Sequence, residues 1–256
     1  MTVTRVSVPV DTRAPTGQTN AYVIGSEAAV LVDPGAVADS LDGALADRSV
    51  AHLVVTHTHP DHVGGVAAYA ARTGATVWAR AGRTDRFEAA TGVTPDATFR
   101  EGTVLDTDPP VTVMDLPGHT VDHVGFTVGE VTLVGDAAID TGSVFVGADE
   151  GDMRAYYTTL RRLIVRDDDL VYPGHGDPIT APRQRLTALL AHRRDRERRV
   201  ATAVQEGARS VEAVVAAAYE KDLSGVEDLA RETVIAHLRK LAREGRVSWD
   251  GATARP

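Results

Sequence analysis

The stretch Thr56-His57-Thr58-His59-Pro60-Asp61-His62 follows directly on the apolar run Leu53-Val54-Val55. A short apolar run of this kind is the mark of a strand buried on both faces. An open α/β sheet forms its binding sites where such strands end. Four potential metal ligands therefore fall within six residues at a strand end. A loop there turns alternate side chains into one cleft. His57 and His59 can share one metal, and Asp61 and His62 can face a second, roughly 3.5–4 Å away as in two-metal sites. A lone histidine is more often a core or surface residue, but four ligand types this close together make that reading poor.

Two metals need more ligands than one loop provides. Three later residues stand in the same context, at the end of an apolar run beside glycine or proline. They are His119 in Leu116-Pro117-Gly118-His119-Thr120, Asp136 in Leu133-Val134-Gly135-Asp136, and His175 in Tyr172-Pro173-Gly174-His175-Gly176. Glycine lets the backbone turn sharply there. The chain has no cysteine, which excludes disulfides, thiolate-ligated metals and a thiol nucleophile. Imidazole and carboxylate donors suit zinc, with manganese or iron as the other candidates.

The rest of the chain reads as strands alternating with helices, the pattern of an α/β layered fold. Strands are expected at residues 4–10, 21–25, 28–32, 52–56, 76–79, 111–116, 124–128, 131–134 and 170–172. Helices are expected at 37–47, 63–72 and 152–165, with a loop-rich stretch at 92–110. From Arg183 the texture changes: a long helix to about Gln205, a helix capped by Ser210, and a helix over Leu229–Glu244 with Leu229, Thr233, Ile235, Leu238 and Leu241 inward. Residues 245–251 then read as a strand and turn, the order of a winged-helix module. Two domains are expected, 1–182 catalytic and 183–256 helical and winged-helix-like. The charge divides the same way, −13 before Arg183 and +4 from there on. No window approaches 18 consecutive apolar residues, so no membrane helix is expected. Met1–Asp11 lacks the basic start and apolar run of a signal peptide, and the cytoplasm is the expected location.

With these residues in view, the chain resembles the metallo-β-lactamase superfamily. The family pattern H-x-H-x-D-H matches at residues 57–62, and the later G-H-T, G-D and P-G-H-G elements follow in order. The resemblance implies a four-layer αβ/βα sandwich. It implies that His57, His59 and His119 hold one divalent metal, that Asp61, His62 and His175 hold the other, and that Asp136 bridges both. It also implies a hydroxide between the metals as nucleophile, with Asp61 and Asp136 holding its remaining proton. Asp33 stands where the family often has an aspartate supporting a ligand histidine, with a turn aspartate as the equal alternative. Thr120, His123 and Tyr156 are pocket or supporting candidates, while His52, His192 and His237 read as structural.

The tail resembles the branch of lactamase-beta-like protein two. Exported β-lactamases carry a cysteine where Asp136 stands, and flavodiiron proteins carry glutamate at the second ligand position, where this chain has His59. Hydrolysis of a thioester, ester or related small acyl compound is placed first. A single-strand endoribonuclease using the tail as a clamp is the alternative, and a mononuclear iron persulfide dioxygenase is the third. Seven arginines between Arg183 and Arg199 form a basic stripe. It can serve phosphate contact or be a solvated helix face, and a small-molecule substrate is preferred to RNA.

Overall fold

A computed structural model describes residues 3–256, and the chain divides into two compact units. The first runs to Leu116 and takes in Asp122–Gly142 and Asp167–Pro182; the second comprises Pro117–Val121, Ser143–Arg166 and Arg183–Pro256.

The first unit begins with β1 (Val3–Pro9), β2 (Gln18–Ile24) and β3 (Ala29–Val32), then α1 (Asp39–Leu45) and β4 (Val50–Val54). The short helices α2 (Pro60–Val63) and α3 (Val66–Thr73) follow, then β5 (Thr76–Arg80), α4 (Thr84–Thr91) and β6 (Ala97–Phe99). These six strands form one sheet in chain order, antiparallel across β1–β3 and parallel from β3 to β6. The second sheet has the order β11-β10-β9-β8-β7, built from β7 (Val104–Leu105), β8 (Val111–Asp115), β9 (Val124–Val128), β10 (Val131–Gly135) and β11 (Leu170–Pro173). Only its β10–β11 pair is parallel.

Side chains on a strand alternate between its faces, and here both faces are apolar. On β2 and β3, Ala21, Val23, Ala29 and Leu31 join a core with Leu41, Val66, Tyr69 and Phe87 from the helices. Tyr22, Ile24, Val30 and Val32 face the other way, into a core shared with Val111, Val113, Val124, Phe126 and Leu133 of the second sheet. The continuous apolar runs in the sequence are thus strands covered on both sides, as parallel sheets require.

Three expectations need correction. The helix expected over 63–72 is broken between α2 and α3, because the Gly64-Gly65 pair lies against the turn after β3. The Gly65 N–H donates to the Pro34 carbonyl at 2.7 Å, and a side chain at either glycine would collide with backbone oxygen. Helix α4 had not been expected at all. The loop-rich stretch 92–110 holds β6 and β7, strands of three and two residues. Segments so short carry no periodicity of their own and owe their state to pairing with β5 and β8.

The second unit carries α5 (Met153–Arg166), α6 (Pro182–Gln205), α7 (Val211–Ala218) and α8 (Glu227–Arg243). The hairpin of β12 (Ser248–Trp249) and β13 (Ala254–Arg255) closes it as a wing. The Ser210 hydroxyl accepts from Ala213 N–H at the start of α7, the cap expected of serine there. On α8, Thr233, Ile235, Leu238 and Leu241 are buried, but Leu229, in its first turn, is only half-buried. No described helix is long and apolar enough to cross a membrane.

Candidate metal centre

Strand β4 ends at Val54, and the next residues are fixed by Asp33, which directly follows β3. These strands are parallel neighbours, so their ends lie side by side. The buried Asp33 carboxylate accepts from Thr56 N–H at 2.6 Å, from the Thr56 hydroxyl at 2.7 Å and from His62 Nδ1–H at 2.9 Å. It adopts φ of +50°, a left-handed conformation that aspartate tolerates better than most residues.

The parallel pair β10–β11 places the other ligands. Asp136 follows β10, and His175 lies two residues past β11. Between them Gly174 passes so close that a side-chain carbon would lie 2.5 Å from Asp136 Oδ1 and 2.7 Å from His62 Cε1. Only hydrogen fits, which explains the glycine without appeal to its backbone angles.

The partners of the Nδ1 atoms fix the tautomers. His57 Nδ1 lies 3.1 Å from the Thr56 hydroxyl, whose own hydrogen goes to Asp33. His62 Nδ1 donates to Asp33, and His175 Nδ1 donates to the Gln18 carbonyl at 2.7 Å. Each ring therefore turns its Nε2 away from that partner, the arrangement that presents imidazole to a metal. His59 stands with Nδ1 3.0 Å from His57 Nε2.

Two ligand groups form inside this unit. The donor atoms of His57, His62 and Asp136 lie within 4.8 Å of one another, as do those of Asp61, His62 and His175. Asp136 Oδ1 is 3.6 Å from His62 Nε2, and its Oδ2 is 3.5 Å from His175 Nε2. Asp61 Oδ2 is 3.4 Å from His175 Nε2 and accepts from the Thr12 hydroxyl at 2.5 Å.

These residues fit a metal. His62 Nε2 is fully buried and makes no hydrogen bond. The spacings of 3.4–3.6 Å exceed good hydrogen bonds. They match the edges of a tetrahedron whose centre-to-corner bonds are about 2.0–2.2 Å, which works out at about 3.3–3.6 Å. The electrostatics agree. Burial would strip protons from His62 and His175. Instead Asp136, Asp33 and Asp61 hold His62 above its ordinary range, and the Asp136 and Asp61 carboxylates beside it push His175 up to about 11. Burial would also raise Asp61, but His175, the charge of His62 and the Thr12 hydroxyl bring it down to about 2. The carboxylates thus draw positive charge into the cluster, and a metal takes the place of those protons.

His123 is brought to the same place in a different capacity. Its ring stacks on His57 with centroids 4.9 Å apart, and its Nε2 accepts the Asp136 N–H at 3.1 Å. His119, Thr120 and Tyr156 belong to the second unit. There His119 Nδ1 donates to the Phe145 carbonyl at 2.7 Å, Thr120 is buried, and Tyr156 is buried on α5 with the Arg193 guanidinium 5.7 Å from its ring centre. His52 accepts from the Trp78 indole, and His237 is buried among the helices of the tail. Sequence reasoning missed Thr12, the Gln18 carbonyl, and the pair Asp122–Arg86, which grips the Thr58 hydroxyl between His57 and His59. None of these carries a local signature; only pairing in space reveals them.

A family model described as the metallo-beta-lactamase superfamily matches residues 14–175, and one for a beta-lactamase associated winged helix domain matches 210–255. The chain is 29% identical over 252 residues to a beta-lactamase-like protein 2 homolog from Drosophila melanogaster, covering 90% of this chain and 84% of that one. It is 29% identical over 251 residues to an atrochrysone carboxyl ACP thioesterase from Emericella nidulans, covering 91% and 76%. A crystal structure of a metallo-beta-lactamase family protein from Thermus thermophilus superposes with a TM-score of 0.80 at 22% identity, over 99% of this chain and 98% of that one. The chain therefore belongs to the metallo-beta-lactamase superfamily, as a hydrolase carrying the associated winged helix domain at its C-terminal end.

Proposed function

We propose that this hydrolase cleaves a thioester or related small acyl ester at a site holding two divalent metals, zinc before manganese or iron. The observation that carries the reading is the Asp136 carboxylate, which lies within 4.8 Å of a ring nitrogen of His57, a ligand of one metal, and 3.5 Å from His175 Nε2, a ligand of the other. A bridging ligand needs that arrangement. Similarity to a named thioesterase over most of both chains supports the acyl substrate.

In this reading His57, His59 and His119 hold one metal, and Asp61, His62 and His175 hold the other, with Asp136 shared. The metals, when bound, supply Lewis acidity and make water a nucleophile near neutral pH. The chain's own groups do the rest. Asp61, ionised and fixed by Thr12, accepts a hydrogen bond from the attacking water, and Asp136 steadies it from the other side. Asp33 and the Gln18 carbonyl hold the His62 and His175 rings, so the site needs little rearrangement during the reaction. The water gives up one proton to solvent as its oxygen bonds to the acyl carbon, and the carbon–sulfur bond breaks. The leaving thiolate, with a conjugate acid of pKa about 8.5, departs without a proton from the protein. The expected compartment is the cytoplasm.

The test pairs elemental analysis with two substrates. Protein purified without chelator should carry about two metals per chain and hydrolyse acyl thioesters from a panel of chain lengths. Labelled single-stranded RNA is incubated in parallel. Cleavage of RNA with no turnover of any thioester would transfer the assignment to the nuclease reading. One iron per chain with oxygen consumption on a persulfide would transfer it to the dioxygenase.

A further inference from the structure

The second unit contains a cavity of about 640 Å³ lined by Arg154, Arg161, Arg194, Arg198, Lys240 and Arg246, against two carboxylates, Glu197 and Glu244. Its volume lies within the roughly 300–1,000 Å³ typical of small-molecule sites. A basic helix face is usually just solvated, and three observations separate this cavity from one.

The charges are unevenly spent. Lys240 Nζ lies 2.8 Å from both Glu197 and Glu244, and Arg246 lies 2.8 Å from Glu197. Those pairs neutralise the floor. Arg154 and Arg161 on α5 and Arg194 on α6 have no carboxylate partner among the described residues, so three guanidinium groups from two helices keep their charge for the cavity. Tyr157 also lines the cavity; its buried hydroxyl has Glu197 beside it but no acceptor within good hydrogen-bond geometry. Burial, and next the nearby Glu197, push its pKa up, so it remains a donor. A buried donor without an acceptor costs about 1–3 kcal/mol, a cost that a bound anion would relieve. Finally, the donors are nearly all arginine, whose planar fork matches phosphate oxygens in pairs.

We infer that this cavity is a binding site for a small polyphosphate anion of the pyrophosphate class. A strand of nucleic acid is the poorer occupant. Non-specific single-strand sites stack bases on aromatic rings, but Tyr157 has Lys240 Nζ 4.6 Å and Arg161 6.0 Å from its ring centre, so its faces already carry cations. The inference is independent of the metal reaction and stands whatever the enzyme hydrolyses.

Isothermal titration of the full chain with ADP, with inorganic pyrophosphate and with a single-stranded RNA tests it. ADP or pyrophosphate should bind, and binding should weaken as salt rises. The double variant R154A/R161A should lose about tenfold or more in affinity, and Tyr157→Phe about two- to tenfold, with thermal unfolding little changed because both arginines are exposed. Absence of binding by either small anion at millimolar concentration overturns the proposal, as does binding indifferent to salt or to the double variant. RNA that binds through these arginines while neither small anion does replaces it with a nucleic-acid surface. The salt series on unaltered protein decides the matter even if a variant fails to fold.

Discussion

Replacing Asp33 with asparagine removes one charge and one acceptor while keeping shape. It also keeps the backbone, since asparagine tolerates the left-handed conformation at φ +50° as aspartate does. Oδ1 can go on accepting the Thr56 N–H at 2.6 Å. The new amide nitrogen then stands where Oδ2 took hydrogens from the Thr56 hydroxyl and His62 Nδ1. Two charge-assisted bonds of about 1.5–3 kcal/mol each are lost, and rotation of the Thr56 hydroxyl to accept from the amide returns about 1 kcal/mol, leaving a net cost of about 2–5 kcal/mol. The consequence for function is sharper. His62 must turn Nδ1 into an acceptor for the amide, and its proton moves to Nε2, the atom that faces Asp136. A protonated Nε2 cannot ligate, so metal affinity should fall by about 10–100-fold. Zinc competition against a chromophoric chelator reads the affinity, and urea unfolding of metal-free protein reads the stability. If the asparagine variant holds both metals as tightly as the parent, the tautomer argument is wrong, whatever the stability shows.

Three further outcomes are expected. Gly174→Ala should cut turnover at least about a hundredfold by pushing apart Asp136 and His62, which a methyl group would meet at 2.5 and 2.7 Å; far-UV circular dichroism should stay unchanged, and wild-type kcat would refute the close-packing argument. Asp136→Ala should bind fewer than two metals and lose hydrolysis, read by elemental analysis beside kinetics, with wild-type turnover ruling out a bridge. The tail should weaken in acid. Burial first of all lowers His237 to about 4, below its unfolded value of about 6.5. The unfolded chain thus binds more protons, so stability is present above pH 6.5 and lost as pH falls toward 4, by a ceiling of about 3 kcal/mol. Glu197, brought down to about 2 against burial chiefly by His237 and Lys240, acts in the same direction at lower pH. His237→Gln should flatten the upper part of that profile in denaturant titrations, and an unchanged slope between pH 6.5 and 4 would refute the assignment.

How much of this was legible beforehand depended on how local each signal is. The strands β2, β3, β4, β9 and β10 each carry an apolar run, so their existence could be read directly. The ends of β10 and β11, marked by glycine or proline beside a ligand, led to Asp136 and His175. The break at Gly64-Gly65 was invisible because it depends on a turn thirty residues earlier, where the Pro34 carbonyl accepts from Gly65. Helix α4 was missed because Thr84–Thr91 offers only Phe87 as a buried residue, too little for a periodic pattern. Around the site, Asp33 was visible through the resemblance as a support for a ligand histidine, with a turn residue as the other reading. That Thr56 and His62 share its carboxylate follows from the parallel pairing of β3 and β4, a fact of space.

The arginine stripe shows why a charge count cannot assign a surface. Seven arginines between Arg183 and Arg199 left open a phosphate-binding stripe or a solvated helix face, and the helix uses its central ones in different ways. Arg193 is buried, donates to the Val144 carbonyl and lies over Tyr156; Arg196 donates to the Ala218 carbonyl and covers Tyr219. These two tie α6 to its own unit, so reversing Arg193 would disturb folding before it changed any encounter with substrate. Arg198 and Arg199 pair with Asp195, exposed pairs that contribute little. Arg194 alone joins Arg154 and Arg161 with its charge unspent. A guanidinium in contact with a tyrosine face and a carbonyl is part of the core, and one without a carboxylate beside a cavity is available to a ligand. The same residue type, within three positions on one helix, therefore belongs to stability at Arg193 and Arg196 and to recognition at Arg194.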